Sequence, residues 1–84
     1  VSSDLQDRAV ALAAAAAAAV PAGGADRVVW LFRRALARDP APEESAATLD
    51  YVSCESAVPG TDAAAAWERL AHVLLASNEF HFLD

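Results

Sequence analysis

The side chains of this chain that could do chemistry are few and dispersed. Cys54 stands in Cys54-Glu55-Ser56-Ala57-Val58, with no second cysteine and no adjacent histidine. That context excludes a haem attachment motif and a two-cysteine redox pair. A nucleophilic thiolate needs cations beside it, whereas the sequence neighbours of Cys54 are acidic or neutral, so it reads as a bystander thiol. Glu68 and His72 are four residues apart, and Glu79 aligns with them if the helix continues. One histidine and two carboxylates are a donor set for a divalent metal. The same stripe is the solvent side of an amphipathic helix, where charged residues belong by default, so no metal ligand or catalytic residue is assigned. His81 is isolated, no serine–histidine–acid set appears, and Gly23-Gly24 is too little for a phosphate loop.

The constellation with the most chemical content is Trp30 among Arg27, Arg33 and Arg34. An aromatic ring beside fixed cations suits a partner surface or an anionic ligand. The plainer alternative is a tryptophan lying under arginine stems on an ordinary helix surface.

Four helical segments must position these residues. Ser3-Asp4-Leu5-Gln6 has the spacing of a capping box, with Ser3 as N-cap, and a helix follows to about Val20. Leu5, Ala9, Leu12, Ala16 and Ala19 line its inward face, and its alanine run permits close helix approach. Pro21-Ala22-Gly23-Gly24 ends it. Arg8, the apolar stretch 9–20 and the small residues up to Ala25 also imitate a secretory signal, but Asp4 and Asp7 are foreign to a basic leader. A second helix is predicted over 25–38, with Val28, Leu31, Phe32, Ala35 and Leu36 inward. Arg27, Arg34 and Arg38 fall on its opposite side, with Trp30 and Arg33 beside them. The pair Asp39-Pro40 stops it.

Pro42 opens a third helix over 42–56, with Glu43 and Glu44 at the positive end of its dipole. Ala41 sits at the N-cap without a side-chain acceptor. Leu49, Val52, Ala46, Ser45 and Ser53 make a weak inward face. Thr61 or Asp62 caps a fourth helix to about Ser77, with Trp67, Leu70, Ala71, Val73 and Leu74 as its apolar arc. Asn78 is placed to end that helix, leaving residues 79–84 as an aromatic tail.

Eighty-four residues bound the chain to one small domain, 56% hydrophobic, with alanine supplying about half of that share. Alanine favours helices and buries little area, so the stability margin is thin. Twelve acidic residues against six arginines give net charge −6, which argues against a nucleic-acid-binding domain. No apolar run reaches the ~20 residues that cross a bilayer, so no membrane insertion is expected. The absence of Met at position 1 reads as a fragment or processed piece of a longer protein.

Two stretches carry a resemblance. Residues 30–44, Trp-Leu-Phe-Arg-Arg-Ala-Leu-Ala-Arg-Asp-Pro-Ala-Pro-Glu-Glu, are similar to a "leucine-x-arginine-x-proline-threonine-proline-x-glutamate" junction. Residues 74–84, Leu-Leu-Ala-Ser-Asn-Glu-Phe-His-Phe-Leu-Asp, resemble a terminal "leucine-leucine-asparagine-serine-asparagine-glutamate-phenylalanine" signature. In this order and separation they resemble the carboxyl-terminal end of domain-of-unknown-function family 1553, over about residues 26–84. Ala41, Ser45 and Ala76 depart from that pattern. The resemblance implies a large exported or periplasmic planctomycete-type bacterial protein, often with a cytochrome c-like domain upstream, so any haem would lie outside this chain and no cofactor is expected here. It also singles out Arg38, Asn78, Glu79 and Phe80, with Arg38 pairing Glu79 and Asn78 bonding a free backbone carbonyl. A rival family of short helical modules shares the "serine-x-glutamate-phenylalanine" tail but carries a glycine-and-tryptophan motif not found here.

The expectation is an all-α four-helix bundle, non-catalytic, packing as a carboxyl-terminal module against upstream domains of its parent. A free-standing interaction module using the Trp30–arginine face is the alternative. A third reading is a piece of an enzyme whose active site lies upstream.

Overall fold

A computed structural model of the chain describes residues 4–82, with side-chain environments described for residues 5–77. Four helices follow one another: α1 (Asp4–Ala19), α2 (Gly24–Leu36), α3 (Pro42–Ser56) and α4 (Ala63–Phe82). No strand occurs among the described residues, and the helices pack together as a small all-α bundle.

Helices α2 and α4 are the inner pair, because each touches all three other helices, while α1 and α3 flank them without meeting. The side chains explain that arrangement. Nearly all the large buried groups are on the inner pair: Val28, Leu31 and Phe32 on α2, and Trp67, Leu70 and Leu74 on α4. Among the described residues α1 buries Ala9, Ala13 and Ala16 and α3 buries Val52, with half-buried Leu12 and Leu49 packed against the cluster. A helix whose buried stripe is alanine gains little from area, but its backbone comes close to its neighbour.

The breakers act as their chemistry dictates. Gly23 and Gly24 have φ of +73° and +69°, a region where glycine is almost free of steric cost. Ala37 takes the left-handed conformation too, at φ 58°, and its N–H donates to the Arg33 carbonyl at 3.1 Å. An alanine there ends α2 under strain that glycine would not feel. Helix α3 begins and ends where Pro42 and Ser56 predict. Its first turn is held by Glu44, whose carboxylate accepts the Ala41 N–H at 2.8 Å. At the head of α4 it is Asp62, rather than Thr61, that caps, accepting the Ala65 N–H at 2.8 Å.

Several inward assignments are corrected. Ala19, Ala46 and Ser53 are exposed, Val73 is 51% exposed, and Ala13 is buried instead. Helix α2 stops two residues short of Arg38, and α4 runs on through Asn78 to Phe82 instead of ending near Ser77. Asn78 tolerates the left-handed conformation but does not impose it, and the apolar period of α4 continues past it. Ser3 lies outside the described residues. Among the described residues, no helix is long and apolar enough to cross a membrane.

Candidate functional site

The Trp30–arginine constellation divides in two. Arg27 does not join the surface patch: it is only 9% exposed and turns back toward the end of α1. Its Nε and one terminal nitrogen donate to the Val20 carbonyl at 3.0 and 2.8 Å, and the same terminal nitrogen donates to the Pro21 carbonyl at 3.1 Å. Its guanidinium carbon lies 4.9 Å from the Trp67 ring centroid. The reason is chemical: the last turn of a helix leaves carbonyls without partners at its negative end, and a planar cation satisfies both needs. A wheel drawn on α2 alone puts Arg27 opposite the core, because it omits the two helices that the side chain bridges. The signal that could have found it is the tight turn 20–24, which brings the Val20 and Pro21 carbonyls within reach of an arginine one turn into α2.

Trp30, Arg33 and Arg34 do share a face. Trp30 is half-buried, its inner part packed on the core, and the Arg34 guanidinium carbon lies 5.1 Å from its ring centroid. Arg33 and Arg34 are exposed. With Val20, Asp26 and Val29 they line an open groove of about 540 Å³ along α2. Arg33 is forked onto Asp39, through Nε and, at 3.4 Å, through a terminal nitrogen. That hydrogen bond raises the pKa of Arg33 and lowers that of Asp39. Among the described residues Arg34 has no such carboxylate; its contact is the tryptophan face.

Arg38 is bound locally. It donates to both carboxylate oxygens of Glu44, at 2.7 and 2.9 Å, and its guanidinium carbon stands 5.5 Å from the Phe32 centroid. Glu44, six residues away, is the carboxylate that Arg38 forks onto among the described side chains, while the expected partner Glu79 lies outside them. The Arg38 hydrogen bond first, and the Ala41 N–H second, hold the Glu44 pKa down to about 2. The side chains of Asn78, Glu79, Phe80 and His81 lie outside the described ones, though all four residues are in α4.

Cys54 is exposed on α3. Glu68 and His72 are half-buried on α4, and Glu68 borders a groove of about 290 Å³ between α1 and α4, with Trp67 and Arg27. Among the described residues no three histidine, cysteine or carboxylate groups gather as a metal set. Sequence reasoning passed over a further apolar groove of about 220 Å³ between α3 and α4, lined by Ala47, Thr48, Tyr51, Leu70, Val73 and Leu74. Compared with family models, curated proteins and solved structures, the chain matches none.

Proposed function

We propose that this chain is a non-catalytic helical docking module that binds a protein surface through the Trp30–Arg33–Arg34 face of α2. The observation that carries the reading is Arg34: an exposed guanidinium laid over a half-buried indole, at the edge of an open groove, and not paired with a carboxylate among the described residues. A ring that fixes a cation in place lowers the entropy lost when a partner's carboxylate arrives. Trp and Arg are the residue types that dominate binding energy when an interface closes over them.

The test is a photo-crosslinking residue at position 33, with a control at position 50 on α3, in the native cell. A discrete adduct from position 33, abolished by Arg34→Glu and absent from position 50, is expected. No adduct from position 33, or equal adducts from both, overturns the reading.

A second reading, packing against neighbouring domains of a longer polypeptide, is favoured by the α3–α4 groove. There Tyr51 and Val73 are exposed, at 37% and 51%, beside Leu70 and Leu74. This is also the context that the resemblance to family 1553 implies. Hydrogen exchange along α3 and α4 that is slower in the longer polypeptide than in the isolated chain supports it; equal rates count against it.

A further inference from the structure

The groove on α2 has an internal symmetry. Asp26 lies four residues before Trp30 and Arg34 four residues after it, and all three line the same groove with Arg33. On a helix, four residues are about 6 Å of rise and about 40° of rotation. The face therefore reads acid, indole, base at equal spacing along the helix, with the Arg34 guanidinium laid over the ring. Asp26 belongs to the first turn of α2 and Arg33 and Arg34 to its last, so the charge order follows the helix dipole.

Such a face is complementary to itself when reversed. We infer that the Trp30 face of α2 pairs with the same face of a second copy of this chain, antiparallel and centred on Trp30. A two-fold axis passing between the two Trp30 rings sets Asp26 of one copy level with Arg34 of the other, twice. The two helix dipoles oppose, and the half-buried rings fill the centre. This inference rests on the docking reading and names its partner. A single pair of 13-residue helices is a small contact, below the ~1,200 Å² of standard interfaces, so the pairing is weak and reversible. Its specificity comes from the charges, since sliding either copy by one helical turn separates both acid–base pairs.

The experiment uses two charge reversals, Asp26→Arg and Arg34→Asp, on exposed residues, with helical circular dichroism confirming that each variant folds. In sedimentation equilibrium up to about 1 mM, the parent mass is expected to rise from 8.7 kDa toward twice that value. Each variant alone places like charges opposite each other at both sites, so its dimer dissociation constant rises at least about tenfold. The two variants mixed in equal amounts regain the parent affinity, because every acid again meets a base. A parent that stays monomeric, variants that associate like the parent, or a mixture that fails to recover each overturns the pairing. A crosslink from position 33 to an unlike protein, with the parent monomeric, retires the self-pairing and leaves the docking reading standing.

Discussion

The guanidinium of Arg27 lies over the Trp67 ring, 4.9 Å from its centroid, while its nitrogens close off the end of α1. One side chain on α2 thereby ties α1 to α4. In a bundle whose α1 stripe is alanine, that polar tie does part of the work that larger side chains do elsewhere.

Arg27→Ala leaves the Val20 carbonyl without its two side-chain donors and removes the ring contact. Charge-assisted bonds and a desolvated cation–π contact together put the loss at about 2–4 kcal/mol. That is a large part of the ~5–15 kcal/mol typical of a whole domain. Arg27→Lys keeps the charge but cannot fork, so it recovers only part. Urea midpoints of the three proteins measure this, and an unchanged midpoint for the alanine variant refutes the tie.

Ala37→Gly relieves a left-handed alanine. The steric cost removed is about 1–2 kcal/mol and the entropy cost of glycine about 0.5–1, so a net gain of roughly 0.5–1 kcal/mol is expected. In a domain of this size that raises the melting temperature by a few degrees. The contrasting change Ala47→Gly, at an exposed position inside α3, loses about 1 kcal/mol. Thermal melts of both variants decide it; a drop for both shows that the α2 terminus is not strained.

Ala41→Ser supplies the missing N-cap acceptor. Position 41 is already extended, at φ −68° and ψ 157°, so the hydroxyl reaches the first turn of α3 without moving the backbone. A gain of about 1 kcal/mol is expected in chemical denaturation. No gain means that Glu44 already satisfies that turn.

Glu44 makes stability depend on acid. Its folded pKa is held at about 2, below the ordinary 4.5, by Arg38 and then by the Ala41 N–H. The stabilisation is therefore complete above the unfolded value and disappears as pH falls through about 2. Glu44→Gln removes that dependence. Melting temperatures of parent and variant should differ at pH 6 and converge near pH 2; a difference that persists at pH 2 contradicts the assignment.

The residues whose placement was legible in the sequence are those governed by near neighbours. Proline at a first turn, charged residues near helix ends and the 3.6 period placed all four helices, the inward face of α2 and the limits of α3. Misplaced side chains share one trait: their environment depends on another helix. Val73 continues the apolar arc of α4 but stands outside the core, because it opens onto the α3–α4 groove beside Ala47, Thr48 and the exposed Tyr51. Ala13 and Ala19 could not be ranked, since a run of seven alanines looks alike on every side. Arg38 forks onto Glu44 across the 37–41 connection, a pairing set by how that turn folds back.

Sequence alone thus determined that this is a chain of four helices and where its breaks fall, because propensity, caps and breakers act over three or four residues. Tertiary structure alone decided that α2 and α4 form the centre, that Arg27 leaves the arginine surface for the interior, and that Asp26, Trp30 and Arg34 remain outside as one face. Those outcomes depend on which helices meet, and contacts between segments far apart in the chain leave no local periodicity by which to read them.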